Sequence, residues 1–136
     1  MDFIDKKEYS NITFWKLEDN IIYFKYAPLI VIDIMMAREL VNKRLEYTGG
    51  QSVYTLIDFT NVKSVNKEAR DYMNSPEGGL KGILGGAFLS NSVVATLFVN
   101  LYLKVSNPSI PARFFTNRED ALNWLRKIRA GKLQNA

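Results

Sequence analysis

Hydrophobic positions along the chain switch between a period of two and a period of 3.6, and the switches mark the elements. Residues 12–18 (ITFWKLE) and 21–26 (IIYFKY) are β-rich runs joined at Asp19-Asn20, a two-residue hairpin signal. The spacing then predicts a helix over about 34–47. Asp33 is its N-cap, Ala37, Leu40, Val41 and Leu45 form its buried side, and Gly49-Gly50 stop it. Residues 53–58 (VYTLID) read as a buried strand. Asn66 caps a short helix, KEARDYMN, ended by Ser75-Pro76 and Gly78-Gly79. Residues 82–89 (GILGGAFL) read as another buried strand, in which Gly85-Gly86 imply close approach by a neighbouring element.

The stretch 91–107 (NSVVATLFVNLYLKVSN) follows. Read as a helix, its polar residues Thr96, Asn100 and Lys104 form one slanted stripe, because positions four apart rotate by about 40° around the axis. Val94, Leu97, Phe98, Leu101 and Tyr102 belong to the remaining circumference, more apolar surface than docking on one sheet covers. Another helix of the same domain, a second subunit or an apolar ligand would cover it. Met35 and Met36 add adaptable apolar surface on the first helix. Residues 112–115 (ARFF) give a last short strand. In the closing helix Thr116 and Glu119 form a Thr-x-x-Glu capping box, and Ala121, Leu122, Trp124, Leu125 and Ile128 form the buried stripe.

The sum is an α/β fold of order ββαβαβαβα: a mixed sheet of about five strands, opened by an antiparallel hairpin, continued by parallel strands, with four helices. Residues 1–136 read as one domain with an ordered core of about 10–130, a short N-terminal arm and a basic C-terminal tail.

Composition narrows the chemistry. The chain has neither cysteine nor histidine, which removes disulfides, thiolate nucleophiles, Cys/His zinc sites and imidazole bases. Any enzyme would run on carboxylates, Lys, Tyr, Ser or Thr. Of 18 basic residues, Arg126, Lys127, Arg129 and Lys132 lie in 121–136, where there is no acid; residues 1–120 therefore balance at 14 of each sign. That basic excess complements a helix C-terminus and is not the broad stripe of a nucleic-acid interface, so no nucleic-acid partner is expected. Asn100 and Lys104 interrupt the longest apolar run, and the start MDFIDKKEYS lacks the pattern of a signal peptide, so neither membrane insertion nor export is expected and the cytoplasm is the default location.

With that element order, IDFTNVKSVNKEARDYM (57–73), GGAFLSNS (85–92) and IPARFFTNREDALNWL (110–125) resemble the SpoIIAA-like branch of the STAS fold, often labelled STAS/Sec14-like. The last stretch resembles that family's Phe-Thr-x-x-Glu-x-Ala-Leu-x-Trp-Leu ending, and the likeness spans nearly the whole chain. It implies a small non-enzymatic module acting through protein contacts or, in some relatives, through a bound nucleotide or lipid. Antagonists of anti-sigma factors in this fold carry a phosphorylated serine in an Asp-Ser-Ser-Gly turn. The family's Asp-x-(Ser/Thr/Lys) anchor matches Asp58-Phe59-Thr60, and a gap-free match then sets Asn66-Lys67-Glu68-Ala69 where Asp-Ser-Ser-Gly would stand. Glu68 replaces the phosphoacceptor, so the phosphoswitch is not carried over.

The glycine-rich segment EGGLKGILGG fits neither dinucleotide nor P-loop spacing and reads as turn and strand packing. Asp58 ends a central strand, where ligands of open α/β sheets gather, and Thr60, Ser64, Asn66 and Ser90 belong to the same edge; the alternative is that Asp58 caps a turn. Glu68 and Asp71 are neighbours on a helix surface beside Lys67 and Arg70, a solvated face lacking the desolvated carboxylate pair that hydrolysis needs. The expectation is a non-catalytic regulatory or scaffolding module with no cofactor or metal, homodimeric through 92–105, whose partner protein meets Asp58, Thr60, Ser64, Asn66, Glu68 and Ser90. The alternatives are a Sec14-like carrier of an apolar small molecule or lipid and, remotely, a carboxylate hydrolase.

Overall fold

The computed structural model describes residues 3–91 and 110–131. Eight strands precede and separate three helices among those residues. The strands are β1 (Ile4–Glu8), β2 (Ile12–Glu18), β3 (Ile21–Tyr26), β4 (Ile30–Ile32), β5 (Val53–Asp58), β6 (Val62–Val65), β7 (Ile83–Leu89) and β8 (Ala112–Phe115). The helices are α1 (Ile34–Thr48), α2 (Lys67–Met73) and α3 (Arg118–Arg129). The main sheet has the order β1-β2-β3-β5-β7-β8, and β4 and β6 pair separately. The first three strands are antiparallel, and β3, β5, β7 and β8 run parallel, as the hairpin-then-crossover pattern predicts.

Strand periodicity sorts the side chains into two layers. Ile12, Phe14, Ile22, Phe24 and Val53 face the cluster that contains Ala37 and Leu40 of α1 and Ala69 of α2. Their alternates Leu17, Ile21, Tyr23, Leu56 and Ala87 face Ala121, Leu122, Trp124 and Leu125 of α3. The sheet is therefore covered on both faces, α1 and α2 on one and α3 on the other.

Local signals explain most boundaries. Asp33 accepts a 2.8 Å bond from the Met36 amide, and Gly49 ends α1 in the left-handed region at φ 63°. Asn66 accepts from the Ala69 amide at 2.9 Å. The Asp19-Asn20 turn closes the β2–β3 hairpin with Asn20 at φ 49°. Gly85 sits at a close approach, since a Cβ there would lie 3.2 Å from the Tyr54 ring, which would have to shift to admit it. Gly78 and Gly79 fold directly onto the carbonyls of Tyr72 and Met73 at the end of α2, which leaves no room for a side chain.

Four expectations are corrected. The sheet has six strands, because the arm at Ile4–Glu8 adds to β2; its charged, exposed IDKKE run has no alternation to announce it, and it is held by pairing with β2 and by the Tyr47 hydroxyl, which donates to the Asp5 carbonyl at 2.8 Å. The short β4–β6 pair is likewise additional. Asn117, and not Thr116, caps α3, accepting from the Asp120 amide at 3.1 Å, one residue later than the capping-box spacing suggests. On α1 the fourth buried position is Arg44, whereas Leu45 is half-buried. The helix expected over 91–107 lies outside the described residues, so three of the four expected helices are described. No helix among the described residues is long and apolar enough to cross a membrane.

Candidate functional site

Asp58 ends β5 at the C-terminal edge of the sheet and is 8% exposed. Its Oδ1 accepts from the Thr60 amide at 3.0 Å and from the Thr60 hydroxyl at 2.6 Å, while Oδ2 accepts from the Tyr23 hydroxyl at 2.9 Å. Both oxygens thus serve the chain's own donors, which turns the backbone after β5 and ties β3 to it. Burial, reinforced by the neighbouring Asp58 carboxylate, pushes the Tyr23 phenol well above its ordinary range.

The other residues of that edge are spread out. Ser90 is buried just past β7, its amide donating to the Phe115 carbonyl at 3.1 Å. Thr60 is exposed beside Asp58. Ser64 is exposed on β6, Asn66 serves as the cap of α2, and Glu68 is exposed in the first turn of that helix. Asp58, Thr60 and Ser90 therefore share the strand ends, and Ser64, Asn66 and Glu68 continue away from them along the surface. Asp71 pairs with Lys67 at 2.8 Å across an exposed helix turn. Among the described residues no three acidic side chains converge as they would around a metal ion. Met35 is exposed, and the Met36 sulfur accepts from the Asn11 side chain at 3.3 Å. Val94, Leu97, Phe98, Leu101 and Tyr102 lie outside the described residues.

The basic residues of the closing helix have a structural task. Arg126 donates twice to Oε2 of Glu18, at 2.9 and 2.6 Å, and Arg129 donates to Oε1 at 2.6 Å and to the Asp19 carbonyl at 2.7 Å. The Arg126 hydrogen bonds, with help from Arg129, hold the Glu18 carboxyl below its ordinary range against the opposing effect of burial.

A larger feature lies on the opposite face of the sheet. Between that face and helices α1 and α2 is a cavity of about 560 Å³, lined by apolar side chains that include Phe24, Ile57 and Phe88 from the strands, Leu40 from α1 and Met73 from α2. That volume is in the range of small-molecule sites, which are apolar with a few fixed polar groups. Thr55, at the centre of the sheet, gives its hydroxyl to the Gly85 carbonyl at 3.3 Å and supplies a polar point in the lining.

Arg44 is the unexpected member of this lining. The spacing 37, 40, 41, 44 carries it on the buried stripe of α1, and it is 4% exposed. Its Nη2 donates to the carbonyls of Gly79 at 3.3 Å and Lys81 at 2.8 Å, so the glycine-rich loop after α2 folds back to present oxygens to it. Nη1 lies beside Gly82 with no hydrogen-bond partner among the described residues. A buried N–H left unpaired costs roughly 1–3 kcal/mol. Burial lowers the guanidinium to about 10, opposed only in part by the nearby Tyr26 and Tyr72 phenols, so it remains a cation at neutral pH. Leu45, expected on the buried face, is half-buried, whereas the offsets of 3, 4 and 7 from Ala37 carry Leu40, Val41 and Arg44 inward.

Comparison with solved structures finds the same fold. The chain superposes on the crystal structure of an uncharacterized protein of the DUF3478 family, with a SpoIIAA-like fold, from Shewanella loihica PV-4. The TM-score is 0.62 at 16% identity, covering 88% of this chain and 97% of that one. At that identity the likeness establishes the SpoIIAA-like fold and nothing about chemistry. No curated protein matches the chain. A family model described as a domain of unknown function, DUF7793, matches residues 14–129, and the chain belongs to that family.

Proposed function

We propose that this chain is a non-catalytic SpoIIAA-like module whose task is to bind a small apolar molecule between the sheet and helices α1 and α2. The observation that carries this reading is the 560 Å³ cavity with its apolar lining, built on the face of the sheet that α3 does not cover. The pocket is partly open to the surface, so a ligand can enter it, and its volume is in the range of small-molecule sites. The absence of catalysis is supported by the engagement of Asp58, whose two oxygens are taken by Tyr23 and Thr60, and by the solvated, ion-paired setting of Asp71. A general base needs a free oxygen within reach of substrate.

Of the two modes of action open to such a module, ligand carriage is favoured here over docking of a protein on the Asp58 edge. The Asp58 edge offers a turn satisfied by its own hydrogen bonds, whereas the cavity offers volume. Titration with Nile red, a neutral apolar dye, tests the reading. The chain should enhance its fluorescence saturably, and Ala112→Trp, which places an indole into the lining, should abolish the enhancement while leaving the circular dichroism unchanged. A wild-type chain that leaves the dye dark would overturn it.

A further inference from the structure

We propose that the molecule held in this cavity is an amphiphile with an anionic head, of the fatty-carboxylate type, and that Arg44 recognises the head. The inference rests on the apolar-binding reading and adds to it the charge of the ligand.

The lining explains the preference. Among the described residues it contains two cations, Arg44 and Arg70, and no acid. Arg44 is 4% exposed, yet among the described residues no carboxylate pairs with it: its two hydrogen bonds there go to neutral carbonyls, and Nη1 has no partner. A buried charge is ordinarily paired with an opposite charge, since carbonyl dipoles alone offset only part of the lost hydration. Nor does the intervening sequence provide one. Between Glu77 and Glu119 the chain carries no acidic residue. The guanidinium is thus a cation held by backbone carbonyls at one edge of an apolar lining, with no carboxylate beside it among the described residues, and an incoming carboxylate would supply the counter-charge. The apolar lining then selects the tail. A cationic or neutral ligand would leave Arg44 as it is.

The geometry also accounts for the choice of Arg. A lysine at position 44 would have no second nitrogen to hold the Gly79 and Lys81 carbonyls while offering donors elsewhere; the forked guanidinium does both.

Decanoate, 1-decanol and decyltrimethylammonium, of equal tail length, separate the head from the tail. Binding to the full chain is followed by Nile red displacement, and native mass spectrometry counts ligands and subunits. Decanoate should displace the dye with an affinity at least about tenfold above that of decanol at pH 7.5, a difference of ~1.4 kcal/mol. The ammonium probe should bind no better than decanol. Arg44→Met, which keeps the apolar stem, should bring decanoate to the level of decanol without loss of decanol binding. Arg44→Lys retains the charge if the Met variant fails to fold, and should keep part of the preference. Equal affinity for decanoate and decanol in the wild-type chain overturns the anionic head while the apolar cavity stands. Failure of every probe overturns both readings. A doubled mass that excludes the probes would assign the apolar lining to a second copy of the chain and likewise overturn the proposal.

Discussion

Tyr23 and Asp58 meet across the face of the sheet beneath α3, the phenol donating to the carboxylate at 2.9 Å from one strand to the next. Because the other carboxylate oxygen holds Thr60, a single side chain fixes both the pairing of β3 with β5 and the direction in which the chain leaves β5. Of the two roles that the sequence offers this strand-end aspartate, ligand contact and turn cap, the observed bonds are those of the second.

Removing that carboxylate should be expensive. Asp58→Ala leaves the buried Tyr23 hydroxyl and the Thr60 amide without their acceptor, and we expect a loss of roughly 2–4 kcal/mol from two unpaired groups. Tyr23→Phe, which removes one donor only, should cost about half as much. Urea midpoints of the three chains check the order, and an Asp58→Ala chain as stable as wild type would contradict it.

Alkaline pH tests the buried phenols. Burial raises Tyr23 and Tyr26 well above the ordinary value of 10.0, with Asp58 adding to the effect at Tyr23, and burial followed by Asp5 raises Tyr47 to about 12. A raised folded-state pKa means that the folded chain keeps its proton longer. The stability these groups contribute is therefore fully present below pH 10 and is lost as pH rises from 10 through the folded values. Unfolding midpoints measured from pH 8 to 11.5 should fall above pH 10, and the fall should be shallower in Tyr23→Phe. Identical slopes would exclude Tyr23 as a contributor.

Acid acts on the clamp between α3 and the hairpin. Glu18 is lowered in the folded chain by Arg126 and Arg129, so its contribution is present above the unfolded value of about 4.5 and disappears as pH drops through the folded one. Glu18→Gln should cost about 1 kcal/mol at pH 7, the upper end for a partly exposed pair held by several hydrogen bonds. Near pH 2 the two chains should unfold at the same denaturant concentration.

The cap of α3 can be located by substitution. Asn117→Ala removes the acceptor of the Asp120 amide and should cost ~1 kcal/mol, whereas Thr116→Ala should cost a few tenths at most. Thermal midpoints of the two variants discriminate directly, and the reverse ranking would restore Thr116 as the cap.

How much of this was legible in the sequence depended on whether a residue follows the period of its element. The strands with alternating or continuous apolar runs, the caps Asp33 and Asn66 and the α3 stripe from Ala121 to Leu125 declare themselves. Strand β1 does not, because its order comes from hydrogen bonds to β2 and from Phe3 lying 5.4 Å from the Tyr23 ring, both long-range. Asp58 is legible as a strand-terminal turn former, but its bond to Tyr23, 35 positions away, is not. Arg44 stayed hidden for the opposite reason: a charged residue is assigned to solvent by habit, and only its spacing says otherwise. Cavities are invisible to periodicity altogether, being what facing side chains leave unfilled.

The clamp joining Glu18 to Arg126 and Arg129 spans 108 and 111 positions, and α3 packs on strands made long before it. During synthesis the ribosome therefore releases β2, β3 and β5 well before the helix that shields one side of them. Until residue 129 has emerged, Leu17, Ile21 and Leu56 have no lid of their own. Chaperone demand for this chain should be set by the time between the birth of the hairpin and that of its last helix.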